Sequence, residues 1–370
     1  MEIFSNHPLK SFNTFGIEAC ANEFIEVRTD DELKVFLSHH LTASKQLLIL
    51  GGGSNILFTR DFSGTIIKIS THGIEIIKED DNDVHIRVAA GEDWDGLVEY
   101  SIGKGWGGLE NLSGIPGQVG SSPIQNIGAY GLELKDHFIS LEAINLCTGE
   151  TIDYDAESCQ FGYRDSIFKR DLKGRVVITH VVFCLQKKPV FNLTYNALKQ
   201  KLEHLPEHGI TLQLIRDAVL QIRSSKLPDP KVIGNAGSFF KNPVVSYSLL
   251  ESLKERFPGI VYFEVPGVSL TPCPPLQLER GNRGSGGKRG EAADRRPLTA
   301  DCKLAAGWLI EQCGWKGFRI GDAGVHKDQA LLLVNYGKAT GMEILALAGQ
   351  IQRSVKEKFG VDLEREVNVI

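Results

Sequence analysis

Leu47-Leu48-Ile49-Leu50-Gly51-Gly52-Gly53-Ser54-Asn55 is the stretch on which the reading of the fold turns. Four consecutive apolar residues suit a strand covered on both faces. The run stops at three glycines, whose backbones can approach a ligand closely and point N–H groups at an anion. Upstream, Phe24-Ile25-Glu26-Val27 reads as a short strand. Thr29-Asp30-Asp31-Glu32 is a capping box that opens a helix running to about His40. Downstream, Ile66-Ile67-Lys68-Ile69 reads as another strand, so residues 24–70 are predicted to be βαβ. The dinucleotide fingerprint does not fit, because Gly51-x-Gly53 lacks the third glycine. After Asn55 the chain opens no clear helix, so an anion site here does without a helix dipole. A plain glycine-rich turn between strands explains the same residues equally well.

A second segment shifts that balance. Residues 107–131, GGLENLSGIPGQVGSSPIQNIGAYG, are long and rich in small residues. A structureless loop of this length is unusual inside a compact domain. Its backbone donors, with the side chains of Ser121, Ser122, Gln125 and Asn126, suit a large polar cofactor held mainly by main chain. The predicted cradle is therefore Gly51, Gly52, Gly53, Ser54 and Asn55 on one side. On the other lie Gly114, Pro116, Gly117, Gly120, Ser121, Ser122, Gln125, Asn126, Gly128, Ala129 and Tyr130.

Composition narrows the classes. The 370 residues suggest two or three domains. Lys and Arg total 41 against 46 Asp and Glu, so no global basic field for nucleic acid exists. No apolar run approaches the roughly 18–20 residues of a membrane span. Met1 to Pro8 lacks the basic region and apolar core of a signal peptide. Seven cysteines without a CxxC pair support neither a zinc site nor a dithiol motif, and no metal is expected. A reducing cytoplasm is the expected location, with buried cysteines acting as small hydrophobes. Glycine numbers 39, above the usual ~7%, and shows no Gly-X-Y period. The excess must shape a ligand site or belong to an unstructured stretch.

Both kinds occur. From 71 to 186 the pattern is strand-rich, with Val84–Ala90, Ser140–Leu146 and Val176–Leu185 as strands and Asp93–Gly103 as a helix. Residues 187–226 carry helices at Asn196–Leu205 and Leu212–Lys226. The second has Leu212, Leu214, Ile215, Val219, Leu220 and Ile222 on or near one face. Residues 227–370 read as a separate α/β unit. Its buried strand is Ala330–Asn335. Its helix opens on the capping box Thr340-Gly341-Met342-Glu343 and closes at Gly360. Residues 271–300 break the texture, with five Gly, four Pro, six basic residues and no Ile, Val or aromatic. They are expected to be an unstructured insertion. A basic polyanion-binding loop and a frame-shifted stretch of the source sequence are the other readings.

LILGGGSNIL together with GLENLSGIPGQVGSSPIQNIGAYG resembles the FAD-binding region of the UDP-N-acetylenolpyruvoylglucosamine reductases. Asn13-Thr14-Phe15-Gly16 resembles their N-terminal motif. The resemblance runs from about residue 10 to 370, leaving 271–300 outside it. It implies an α+β protein with the vanillyl-alcohol-oxidase-type (PCMH-like) FAD fold. Residues 1–70 and 71–226 would be two FAD-binding α/β subdomains. Residues 227–370 would be an α/β substrate-binding domain, and the segment near 187–226 marks type I members. The implied reaction is NADPH-dependent reduction of an enolpyruvyl UDP-sugar in peptidoglycan synthesis, by a monomer. Neither 51–58 nor 107–131 holds a His or Cys, so non-covalent FAD is expected.

The same resemblance assigns chemistry. Phe161-Gly162-Tyr163-Arg164-Asp165-Ser166-Ile167-Phe168-Lys169 matches a GYRxSxFK motif. It makes Arg164 an active-site arginine, whose planar fork suits a carboxylate or enolate. Tyr163 is implied beside the substrate. Gly234-Asn235-Ala236-Gly237-Ser238-Phe239-Phe240-Lys241-Asn242-Pro243 makes Ser238 the proton donor, a role that demands a strongly basic acceptor such as a carbanion. Leu363-Glu364-Arg365-Glu366-Val367 makes Glu366 the catalytic carboxylate. Tyr195, Lys226, Asn242 and Gln329 are implied substrate contacts. Asn368 departs from the pattern, standing where many members carry a basic residue. The alternatives are another FAD-dependent oxidoreductase of this fold, or a flavin-binding protein inactivated by the insertion.

Overall fold

The computed structural model describes residues 2–40, 46–206, 209–264 and 301–370. The expected insertion 271–300 and Cys273 lie outside them. The first sheet orders its strands Ile3–Pro8, Cys20–Val27, Phe62–Ile69, Leu47–Leu50. Cys20–Val27 and Leu47–Leu50 both run parallel to Phe62–Ile69, with helix α1 (Asp30–His40) as a crossover. The βαβ reading of 24–70 therefore holds. Leu47–Leu50 departs from expectation by lying at the sheet edge. Its two faces do meet protein, Leu48 on one core and Leu47 and Ile49 on another, but the open edge leaves all three partly exposed.

The second sheet is antiparallel throughout, ordered Thr151–Asp155, Phe138–Asn145, Val176–Gln186, Asp83–Ala89, Ile74–Glu79. Helix α2 (Trp94–Gly103) packs Trp94, Leu97 and Val98 into its core, and the Asp93 carboxylate caps the helix by accepting from Gly96 N. Helices α3 (Asn196–Leu202) and α4 (Leu212–Lys226) form a small satellite core through Leu198, Leu202, Ile215, Val219 and Ile222. Two details of the predicted stripe change. Helix α3 ends at Leu202 rather than Leu205, and Leu214 faces solvent.

Past residue 226 come helices α5 (Tyr247–Arg256), α6 (Ala306–Gln312) and α7 (Gly341–Phe359) with two small sheets. One sheet runs Gly234–Ser238, Leu332–Asn335, Ala323–Val325, Arg319–Ile320, and the other Val244–Ser246, Asp301–Leu304, Tyr262–Glu264. The buried strand begins at Leu332, two residues later than predicted. Helix α7 has the predicted capping box, with Gly360 left-handed at its end (φ 72). This part is not a separate core. Leu9, Phe15, Ile17 and Phe58 pack in one cluster with Phe239, Leu309, Leu333, Ile344 and Ile351. Of the six described cysteines only Cys159 and Cys302 are buried, which narrows the expectation of buried thiols, and Cys147 is exposed.

Candidate active site

The Asn13-Thr14-Phe15-Gly16 turn binds the two ends of the chain to the glycine loop. Asn13 Nδ2 donates to the carbonyls of Leu9 (2.8 Å) and Ile17 (3.0 Å), fixing the turn. Thr14 N donates to Gly53 O (3.1 Å), and Asn235 N donates to Thr14 O (3.0 Å). Gly53 sits at φ 64, and a Cβ there would lie 1.9 Å from Phe12 O, so no other residue fits this approach.

Residues 51–54 face residues 116–121. A Cβ on Gly52 would stand 3.1 Å from Gly117 Cα, so two bare backbones lie against each other. Ser54 Oγ donates to Pro116 O (2.9 Å), and Ser121 Oγ donates to Gln118 O (2.7 Å). Asn55 Nδ2 donates to Gln125 Oε1 (2.9 Å) and to Glu366 O (3.3 Å). Beyond Asn55 the strand Ile56–Leu57 pairs in parallel with Asn368–Val369. The Asn368 side chain donates to Asn55 O (3.1 Å), so it braces the cradle. The Thr14 hydroxyl is buried beside this turn without a hydrogen-bond partner. A glycine-lined cradle with an unsatisfied hydroxyl fits a large polar cofactor held by main chain, as FAD would be.

Several predicted cradle residues turn out to build it from behind. Asn126 is fully buried at φ 44, donating to Glu133 Oε2 (3.0 Å) and Gly162 O (3.0 Å) and accepting from Lys135 N (3.1 Å). Ser122 Oγ donates inward to Val119 O (2.6 Å). Asn126 thus spends both amide hydrogens, and Ser122 its hydroxyl hydrogen, inside the protein, which leaves these two side chains only acceptor capacity. Gly120 allows close contact with Ala90, and Gly114 lies beneath Leu220 and Arg223 of α4. Ala129 and Gly128 form a short strand against Leu132 and Glu133, and Gly128 O accepts from Arg164 Nη2.

Arg164 and Glu366 meet directly, with Nε 3.3 Å from Oε1 and side chains 22% and 14% exposed. Arg164 occupies the third position of a tight turn closed by Gly162 N to Asp165 O (2.9 Å) and Asp165 N to Gly162 O (3.3 Å). Glu366 arrives because residues 364–366 run alongside 239–241: Glu366 N donates to Phe239 O (2.8 Å) and Lys241 N to Glu364 O (2.9 Å). That pairing brings the Glu366 backbone to Phe239, the residue after the exposed Ser238, whose own strand pairs with Leu332. Burial pushes the Glu366 carboxyl above its ordinary pKa, against the pull of Arg164, Lys169 and Lys241. Burial also raises the Tyr163 phenol, which hydrogen-bonds Asn242. The Asn242 side chain is oriented by accepting from Ala306 N (3.0 Å) at the start of α6.

The other predicted contacts fall around this cluster. Tyr195 is 39% exposed and sits edge-on to Tyr130, with ring centroids 5.1 Å apart. Tyr130 itself has φ 50 and hydrogen-bonds Arg223. Lys226 is exposed in the last turn of α4, and Gln329 is half-buried before the strand Leu332–Asn335. Among the described residues, neither of these two side chains hydrogen-bonds the Arg164–Glu366 cluster. Four residues went unnoticed in the sequence. Lys241 pairs with Glu364 (2.5 Å), Lys303 Nζ lies 3.5 Å over the Tyr163 ring, Lys169 reaches the Arg164 carbonyl, and Arg223 meets Tyr130. Lys169 and Lys241 lay within the quoted motifs. Arg223 precedes Lys226 by one helical turn, a signal available to a reader of helix faces. Lys303 carried none.

A glycine-lined flavin cradle beside a half-buried arginine–carboxylate pair and an exposed serine defines an FAD-dependent oxidoreductase. Comparison with known proteins makes it particular. A family model described as "FAD binding domain" matches residues 21–155, and one described as "UDP-N-acetylenolpyruvoylglucosamine reductase, C-terminal domain" matches 229–370. The UDP-N-acetylenolpyruvoylglucosamine reductase of Flavobacterium johnsoniae is 46% identical over 371 residues, covering 100% of both chains. That of Amoebophilus asiaticus is 44% identical, again with 100% coverage of both. The crystal structure of the reductase from Thermus caldophilus has the same fold, with a TM-score of 0.62 at 23% identity, over 100% of this chain and 98% of that one. The chain belongs to the UDP-N-acetylenolpyruvoylglucosamine reductase family, and its fold is the expected α+β with an FAD-binding domain. No helix among the described residues is long and apolar enough to cross a membrane, and none of their His, Cys, Asp and Glu side chains group as a metal site.

Proposed function

We propose that this chain reduces the enolpyruvyl group of UDP-N-acetylenolpyruvoylglucosamine to UDP-N-acetylmuramate with NADPH as reductant, as a cytoplasmic monomer. The observation that carries the reading is the Arg164–Glu366 pair, whose carboxylate segment 364–366 pairs with 239–241, one residue past Ser238. When bound, FAD would supply the hydride chemistry that connects NADPH with C3 of the enolpyruvyl group. Gly51–Asn55 and the backbone of 116–121 hold that cofactor non-covalently.

The chain's own side chains handle charge and proton. Hydride arrival at C3 leaves negative charge at C2, delocalised into the substrate carboxylate. Arg164 is already aimed by Gly128 O and Glu366, so it stabilises that charge without reorganising. Ser238 is exposed to the cleft and gives its hydroxyl proton to C2, a transfer that a carbanion is basic enough to draw from a serine. Tyr163 and Asn242 form one polar wall of the substrate site, and Tyr195 on its T-shaped contact with Tyr130 forms another. Lys226 and Gln329 complete the site around the diphosphate sugar.

The Ser238→Ala variant tests the assignment. NADPH still bleaches the flavin of this variant at the parent rate, while product formation falls by about a hundredfold or more. Product formed at the parent rate would remove Ser238 from the mechanism. A parent protein that oxidises NADPH without requiring the enolpyruvyl substrate would remove the whole reading.

A further inference from the structure

Lys169 carries an inference that rests on the function proposed above. Arg164 has φ 53, a conformation that residues other than glycine hold only when their surroundings impose it. Its guanidinium is held by Gly128 O and Glu366, but those bonds act on the side chain, and the N–H of the peptide that follows makes only the long turn bond from Asp165 N to Gly162 O (3.3 Å). The Arg164 carbonyl accepts from Lys169 Nζ at 3.4 Å. Lys169 is well placed for this. It ends the short 3-10 turn Ile167–Lys169, which is anchored by the buried Phe168 and by Ser166, whose Oγ donates to Ile124 O (2.6 Å).

The charges around this point are few and can be named. Glu366 faces Arg164, Lys169 and Lys241 as cations, Glu364 as an anion, and the Tyr163 phenol. Lys169 faces Lys241, Glu366, Glu364 and Asp165. Lys241 is engaged by Glu364 and the Asp165 carboxylate by Arg170. Lys169 is half-buried and points its charge at the Arg164–Glu366 pair rather than at a carboxylate of its own.

We propose that Lys169 is a positioning residue, whose ammonium pins the Arg164 carbonyl in its left-handed turn and adds positive charge beside Glu366. Loss of that charge makes ionised Glu366 less favourable, so whichever limb of the pH profile Glu366 sets moves to higher pH. In Lys169→Met the expected results are a kcat about tenfold lower or worse, from misplacement of Arg164, and a limb of kcat/KM displaced upward by roughly half a unit or more. Lys169→Arg, which restores the charge, returns the limb to its parent position. Lys169→Gln keeps a donor without charge and shows the displaced limb with a smaller loss of kcat. It also serves as the test if Lys169→Met fails to retain flavin.

A parent-like pH profile and kcat in both neutral variants overturns the proposal. So does equal impairment of all three variants with no displaced limb, which marks a packing role only. If the parent itself shows no turnover dependent on the enolpyruvyl substrate, the function proposed above falls and this inference with it. Parent turnover with an unmoved profile in the variants removes the inference alone.

Discussion

Glu366 shows what a buried carboxylate costs and why one is kept. Its folded-state pKa is raised by burial despite three cations, so the ionised form is less favourable in the fold than in the unfolded chain. A carboxylate with a raised pKa contributes fully to stability below its unfolded value, and that contribution is lost as pH rises through the folded value. Glu366→Gln is neutral at every pH and escapes the loss, while Arg164 keeps Gly128 O. The variant is expected to melt at or above the parent temperature at about pH 8, with the two converging at about pH 4, while turnover drops by about a hundredfold or more. A variant that melts well below the parent at the higher pH would show that the ion pair stabilises after all. The motifs made Arg164, Ser238 and Glu366 legible as residue types. The backbone of Arg164 was not legible, because its positive φ belongs to the turn closed between Gly162 and Asp165, and the residue types do not display those bonds.

At the scale of elements, α4 is tied to the cofactor loop by one carboxylate. Asp95 in the first turn of α2 accepts from Arg216 Nη1 (2.6 Å) and Nη2 (2.9 Å), and also from Gly114 N (2.6 Å). Burial raises the Asp95 pKa, but Arg216 and the Gly114 N–H outweigh it and hold it below the ordinary carboxylate range. A depressed carboxylate contributes stability above its unfolded pKa and loses it as pH falls through the lower folded value. Arg216 is 8% exposed and Asp95 31%, so the pair sits between surface and core. Arg216→Met should cost about 2–3 kcal/mol near neutral pH, with the difference shrinking in acid as Asp95 protonates. Denaturant melts at both pH values check this, and a constant difference would separate Arg216 from Asp95. The α4 bounds, the βαβ unit and the α7 caps were all legible, since periodicity and capping are local. The two-residue pairing of Ile56–Leu57 with Asn368–Val369 has no period to read, and so escaped.

On the scale of the whole molecule, we propose boundaries near residues 70 and 226. The core does not respect them as independent units, because Leu9, Phe15 and Phe58 pack with Phe239 and Ile344. The sequence reading treated 227–370 as separate because its α/β pattern restarts there. Periodicity says nothing about which distant segment covers a face. Either side of 265–300, Tyr262–Glu264 and Asp301–Leu304 pair antiparallel, with Phe263 opposite Lys303 and Glu264 opposite Cys302. The described strands on the two sides of that segment are therefore hydrogen-bonded to each other directly. Joining Glu264 to Asp301 through a short glycine-containing turn should leave the melting temperature within a few degrees and turnover within about twofold. A variant that loses flavin or activity would give 265–300 a role in the site.

The cradle's debt to residues 364–370 bears on when it can exist. Asn55 and Glu366 are 311 positions apart, yet the first donates to the carbonyl of the second, and Asn368 braces Asn55 in return. During synthesis the glycine turn waits while some 311 further residues are made before the strand that flanks it exists. Contacts of such separation form late, after the chain has met the entropy of closing a very large loop. A nascent chain on the ribosome thus lacks the completed binding site. Flavin capture becomes a test that residues 364–368 have been made, which any chain released before Glu364 fails.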